Sequence, residues 1–447
     1  MTTGSSFKKI LLFSLPTALG LMLQNLYTLG DTLIVSLSRG KEAATGVNLT
    51  ESLSFLILGF GSGIAAGFGI VLSQYVGAKD QNGIKKSFAT SITLGLIIGA
   101  IVTVVTVLSA GGLLTLMKTN ELYYDYSLQY ISAIFSGFAF NLFYNLASQI
   151  MRALGDSKTP LVILILSATL NILLDSLLFV TDMSVAWAGY ATVISQAISA
   201  AVGFVLLLKK FPVLKLKRED FKISFKTAWL HLATGLPMGF QFTITAIGCM
   251  IQQSAFNALP DPKYAMAQST GSKIDNVFNS LLMGAANTMA VYVGQNFGAK
   301  RLDRIRRGSF AGMASGAIYT AVATAAAIPL CIPCAKFLLK DAGDEIYGLV
   351  LQYITVQSLC YYLLYLLIMF RQCMQGMGYS ALTIFGGVTE LVFRYIAAVL
   401  LAENFGYDGA CLSNPLAWFG GMAFFVTAFF AVLKKEEKKQ NLSPLAA

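Results

Sequence analysis

Twelve apolar runs, each long enough to cross a bilayer, succeed one another along this 447-residue chain and constrain its fold more than any other feature. A bilayer core takes about 20 residues of apolar helix, and more where the helix tilts. Runs of that length lie near residues 9–37, 50–76, 88–117, 122–151, 160–180 and 186–208. A second set lies near 228–258, 264–297, 308–338, 346–375, 380–402 and 408–433. Lipid offers the backbone no hydrogen-bond partner, so each run must close its own bonds as helix. Charge confirms the setting: only 12% of residues are charged, against about 25% in a soluble domain. So few charges cannot cover a water-facing surface, which excludes an ordinary soluble fold, a disordered chain and a disulfide scaffold.

Between the runs the basic residues are distributed unevenly. One set of connections carries 24 of the 32 Lys and Arg: Lys8 and Lys9, Lys79 to Lys86, Arg152 and Lys158, Lys209 to Lys226, Lys300 to Arg307, Arg371, and Lys434 to Lys439. The opposite set carries seven, and Arg394 falls inside a helix. The positive-inside rule then predicts a multi-pass protein of the cell inner (plasma) membrane with both termini in the cytoplasm. The net charge of +10 is thus mainly a topology signal, with attraction to lipid headgroups second and nucleic acid not expected as a partner. The start, MTTGSSFKK, leads into apolar sequence with no small-residue cleavage site, so it reads as the first membrane helix.

The chain also repeats itself. Gln74-Tyr-Val-Gly77-Ala-Lys79 returns as Gln295-Asn-Phe-Gly298-Ala-Lys300, an offset of 221 that Pro16 and Pro237 share. Gly155 to Gly378 gives 223, and Gly189 to Gly409 gives 220. One unit therefore spans six helices, and an even number of crossings makes the copies parallel about an axis along the membrane normal. The expected fold is all-α and integral to the membrane, in two pseudo-symmetric six-helix bundles: residues 1–210, a basic linker over 211–226, a second bundle over 227–434 and a tail over 435–447. Parallel halves are a transporter signature, with the substrate path expected between them.

Polar groups at membrane depth are costly, and each calls for a reason. In the first half, Gln24, Tyr27 and Asp31 form one helical stripe, Ser167, Asn171 and Asp175 a second, Asn141, Asn145 and Gln149 a third, and Thr192 and Gln196 a fourth. Together they could enclose a cavity in which Asp31 and Asp175 bind a proton or, with amide and hydroxyl oxygens, Na⁺. The alternative is that the two acids cap or cross-link helices. In the second half, Glu390 and Arg394 sit four apart and can pair within their helix, while also lining the cavity. Gln268, Ser272, Asp275 and Asn279 form a further stripe, readable as a gate or a solvated funnel. Tyr361, Tyr365 and Met369 suit either the lining of a cavity for greasy cations or plain helix packing. The one histidine, His231, reads as interfacial, and the six cysteines as small buried residues. Cys331-Ile-Pro-Cys334 lacks a second ligand pair, and no P-loop is present, so no cofactor, metal centre or ATP-driven enzyme is expected. Energy must come from an ion gradient or from the substrate's own.

Three segments resemble a known family: LPTALGLMLQNLYTLGDT in the first helix, the paired Q-x-x-G-A motifs, and Gln149-Ile-Met-Arg152-Ala-Leu-Gly155-Asp156-Ser-Lys-Thr-Pro160 with its echo from Gln372 to Gly378. They look like the multidrug and toxic compound extrusion (MATE) family over essentially the whole chain. The resemblance implies a V-shaped exporter that trades H⁺ or Na⁺ for cationic amphiphiles, working as a monomer among membrane lipids. Its DinF-like branch implies a cation site at Asp31, Asn171, Asp175 and Thr192, and a first helix that bends at Pro16. Thr245 and an acid-free tenth helix argue against the NorM-like site. Gly378-Tyr379, where the first copy has Gly155-Asp156, departs from the motif. The runner-up is a lipid-linked oligosaccharide flippase of the same superfamily.

Overall fold

The computed structural model describes residues 1–181, 183–339 and 342–442, apart from the side chains of 26–29, 31–33 and 442. Its helices are α1 (Ser6–Arg39), α2 (Lys41–Leu49), α3 (Glu51–Ala78), α4 (Gln81–Leu116), α5 (Glu121–Ser136), α6 (Phe138–Ala153), α7 (Lys158–Asp175) and α8 (Ala186–Lys210). The second set is α9 (Phe225–Asn257), α10 (Pro262–Gly298), α11 (Leu302–Leu338), α12 (Asp344–Leu359), α13 (Tyr361–Gly376), α14 (Leu382–Ile396), α15 (Ala402–Cys411) and α16 (Ser413–Leu442). Among the described residues ten helical spans are long and apolar enough to cross a membrane, and two bent pairs, α5–α6 and α12–α13, bring the number to twelve. No strand occurs among the described residues.

The surface of α4 shows what solvent these helices meet. Ile97, Ile101, Val104, Val105 and Leu108 follow helical spacing, and all are half or more exposed. The opposite side is small or polar: Gly99 stands against Ala139 of α6, and Ser91 and Thr106 are buried. Apolar residues outside and small ones inside are the pattern of a helix whose packing is driven by close approach, because lipid makes burial of Leu or Val no gain in itself.

The repeat seen in the sequence recurs in backbone geometry. Lys79 and Lys300 both end a helix in the left-handed region, with φ of 57° and 55°. Gly155 and Gly378 do so at 94° and 87°, a conformation that glycine adopts without a side-chain clash. The bent pairs break at Gly137, by 49°, and at Cys360, by 46°, which are 223 residues apart. At Gly137 α8 also comes close, since a Cβ there would lie 2.1 Å from Val193 Cγ2. The expected single spans 122–151 and 346–375 are therefore each two helices. Arg371, assigned above to a connection, lies inside α13.

Two compact units result. One is Leu23–Thr243, here the N-unit; the other, the C-unit, joins Met1–Met22 to Ile244–Ala447. The expected bundles 1–210 and 227–434 thus differ from the compact units at the starts of α1 and α9. Both boundaries fall nearly two turns beyond a proline within the helix, Pro16 in α1 and Pro237 in α9. The 211–226 segment is no free linker: it forms two short 3₁₀ turns against α4, with Leu214 fully buried.

The Gly155-Asp156 motif has a structural explanation. Asp156 Oδ1 accepts from the backbone N–H of Lys158 and of Thr159, both at 3.1 Å, and caps the start of α7. Its Oδ2 pairs with Lys210 Nζ of α8 at 2.7 Å. In the second copy Tyr379 replaces the acid and donates instead to Glu436 of α16 at 2.7 Å, so both loops are tied down by different chemistry. Burial would raise the Asp156 carboxyl, but hydrogen bonds from Lys210 and Thr159 outweigh it and hold the group below the usual range. Its contribution is then complete above the unfolded value, about 3.9, and is lost as pH falls through the lower folded value. Asp156→Ala is expected to cost about 1 kcal/mol, read as a lower detergent-solution Tm at pH 7 that converges on the wild type in strong acid.

Candidate functional site

Within the N-unit, α7 presents Ser167, Asn171 and Asp175 at four-residue steps on one face, and all three are buried, the last two to 1% exposure. α8 packs on α7 and on α6. It offers Thr192 and Gln196, one turn apart, to those two neighbours in turn. Asn171 Nδ2 donates to Thr192 Oγ1 at 3.3 Å, and Asn141 Nδ2 of α6 donates to Gln196 Oε1 at 3.2 Å. Asn145 Nδ2 continues the chain, donating to the Asn141 carbonyl at 2.9 Å and to its Oδ1 at 3.2 Å. The first of these bonds makes Thr192 the α8 partner of Asn171.

One atom in this column is out of the ordinary. Asn171 Oδ1 is buried and accepts no hydrogen bond. A buried acceptor left unsatisfied costs about 1–3 kcal/mol, so it invites a partner such as a bound ion or water. The amide oxygen of Asn171, the hydroxyl of Thr192 and the carboxylate of Asp175 are hard oxygen donors, a chemistry that suits a proton or Na⁺ and not soft transition metals. Among the described residues no group of three or more His, Cys, Asp or Glu could hold a metal ion.

The end of this column is fastened by residues that sequence reading passed over. Trp187 Nε1 donates to the Leu174 carbonyl at 2.8 Å and ties the start of α8 to the end of α7. Arg39, at the end of α1, donates to the carbonyls of Leu178 at 2.8 Å and Met183 at 2.9 Å, and to that of Thr181. This anchors the C-terminal half of α1 to the segment after α7. Asp31 and Tyr27 belong to that half; their side chains lie outside the described residues, and the α1 backbone is helical through both. Gln24 is half-buried on the same helix. Gln149 packs against α3, where a Cβ on Gly69 would lie 3.0 Å from its own Cβ. Pro16 sits inside α1 without ending it.

The C-unit is arranged differently. Arg394 Nη2 donates to Glu390 Oε1 at 2.9 Å, and the guanidinium lies over bare backbone at Gly248, where a Cβ would meet Nη1 at 2.6 Å. Tyr361, Tyr365 and Met369 are fully buried. Tyr365 Oη donates to the Gly312 carbonyl at 3.1 Å, and Met369 lies against the same glycine. These three pack against α10 and α11 in this structure, the second of the two readings that their spacing offered. Tyr361 Oη instead donates to Asp275 Oδ1 at 2.7 Å, joining two stripes that were separate in the sequence. Asp275 is buried as well, so its stripe is no solvated funnel at that point. In the N-unit, His231 is wholly buried too, bonded to Ser87 Oγ at 2.9 Å and to the Thr227 carbonyl at 2.8 Å, and is not interfacial.

A polytopic helical chain built as a six-helix repeat, with a buried polar column in one unit, has the make-up of a membrane transporter and not of an enzyme. The MatE family model matches residues 16–177 and 237–400, and the chain belongs to that family. It is 30% identical over 317 residues to the probable multidrug resistance protein YpnP of Bacillus subtilis, covering 68% of each chain. It is 24% identical over 247 residues to the multidrug export protein MepA of Staphylococcus saprophyticus, covering 52% of this chain and 54% of that one. Among solved structures, a multidrug resistance MATE family transporter of the MOP superfamily in an outward-facing conformation superposes with a TM-score of 0.91. That match spans 97% of both chains at 19% identity.

Proposed function

We propose that this protein is a multidrug efflux transporter of the cell inner membrane, with both termini cytoplasmic, that exchanges H⁺ or Na⁺ for cationic amphiphilic compounds by alternating access. The observation that carries the reading is the orphaned Asn171 Oδ1 beside buried Asp175. An ion bound there would satisfy the amide oxygen and offset the carboxylate, and its departure would restore a negative site that favours a cationic substrate elsewhere in the cycle. Asp31, on the half of α1 held by Arg39, is the second acid of this scheme. Occupancy by ion and by substrate then disfavour each other, which is all that antiport requires thermodynamically. The names of the YpnP and MepA relatives support multidrug export. The flippase reading is weaker, because the Arg394 guanidinium that would meet a pyrophosphate is already engaged by Glu390.

Transport into vesicles with a pH gradient and a Na⁺ gradient imposed separately, using one fluorescent cation, tests this. Accumulation driven by one or both gradients is expected. Equal uptake with and without either gradient would overturn the antiport reading.

A further inference from the structure

A second buried carboxyl in the C-unit lies outside the scheme above. Asp275, on α10, is 3% exposed. Both of its oxygens are engaged, Oδ1 by Tyr361 Oη at 2.7 Å and Oδ2 by Asn279 Nδ2 at 2.6 Å. Both partners are neutral, and among the described residues no Lys or Arg pairs with it. This contrasts with Glu390, a half-buried acid of the same unit, whose charge Arg394 balances. A carboxylate at membrane depth held only by neutral donors is costly, and such residues are retained where they do something.

The groups packed around it are uncharged. From α12, Tyr353 Oη sits within 3.2 Å of Ser272 Oγ, and Gln252 of α9 reaches Tyr353 at 3.5 Å. From α13 comes Tyr361, and from α11 the thiol of Cys331 stands beyond Tyr361. Lys273 is exposed on another face of α10. Hydrogen bonds of 2.6 and 2.7 Å on the two oxygens leave a proton as the ion this packing admits most readily. A further atom makes the site two-state: Asn279 Oδ1 is buried and accepts no hydrogen bond.

We infer that Asp275 is a second proton-carrying carboxyl of this transporter, able to hold or release its proton as the Asn279 amide turns over. With Asp275 ionised, the amide presents N–H to Oδ2. Taking one proton from water makes Oδ2 a hydroxyl, and a half-turn of the amide presents Oδ1, which accepts from it. No other bond forms or breaks. Tyr361 keeps its hydrogen bond to the other carboxyl oxygen in both states. Two acidic sites in separate compact units would let the protein carry more than one proton per cycle; only that coupling role rests on the transport reading.

Infrared difference titration of the purified full-length protein in detergent reads the site without transport. On acidification a carboxylic-acid carbonyl band is expected that is lost in Asp275→Asn, retained in Asp175→Asn and shifted in Tyr361→Phe, which keeps the carboxyl but removes one donor. If Asp275→Asn shows the same set of bands as the wild type, or if the band does not change with pH, the inference is overturned. Efflux measured on the same Asp175→Asn preparation separates this failure from failure of the antiport reading, because that variant tests the N-unit site alone.

Discussion

An Asp175→Asn protein is expected to insert and fold normally but to lose ion-driven dye efflux. Asn has nearly the volume of Asp, so the packed face between α7 and α8 is undisturbed and no cavity term arises. What disappears is the charge beside the orphaned Asn171 oxygen, and with it the preference of the site for a cation. Mutual exclusion between ligands of this kind is usually worth about 1–3 kcal/mol, or about 5- to 150-fold in affinity. Once it is lost, substrate can bind but can no longer draw on the gradient. Efflux from energised vesicles should fall to the background of empty ones, while the protein recovered in the membrane equals wild type. Normal pumping by this variant would mean that Asp175 only links helices.

Arg394→Leu is expected to produce the largest loss of stability. The change removes the partner of Glu390, whose side chain is 14% exposed, and leaves a largely enclosed carboxylate behind. Breaking one half of a buried pair costs about 3–5 kcal/mol, whereas replacing both halves with apolar groups of similar volume is often neutral. The double variant Glu390→Gln/Arg394→Leu should therefore recover most of the loss. Thermal unfolding in detergent of the four proteins of this cycle measures the coupling directly. If the single and double variants unfold together, the pair contributes nothing to stability.

Much of the architecture was legible because membranes simplify the code. Length and apolarity alone locate twelve spans, and repeated loop motifs mark the six-helix repeat before any coordinate is known. The Asn171–Asp175 stripe was legible for the same reason, since a polar residue every fourth position on an apolar helix has one face to occupy. The bends at Gly137 and Cys360 were not. Cysteine is no helix breaker by type, so nothing at Cys360 announces a break, and Gly137 is explained only once Val193 is seen against it. Arg371 followed a charge-counting rule into a connection, although its place is inside α13. The bond between Tyr361 and Asp275 joins residues 86 positions apart; each stripe was visible, but their meeting is a matter of tertiary packing. Arg39 looked like one more loop charge, and its role depends on carbonyls left free after α7 that no residue pattern identifies.

The central claim is that ion and substrate exclude one another through the acid and amide of the N-unit. Its most direct measurement is ion release on addition of a fluorescent cationic substrate to purified protein in weakly buffered detergent, recorded with a pH indicator and a Na⁺-selective probe. Wild type is expected to release H⁺ or Na⁺ in proportion to substrate bound, and Asp31→Asn and Asp175→Asn to bind substrate while releasing little or none. Equal release from the Asp175→Asn protein, or substrate binding to wild type with no ion set free, would contradict the account.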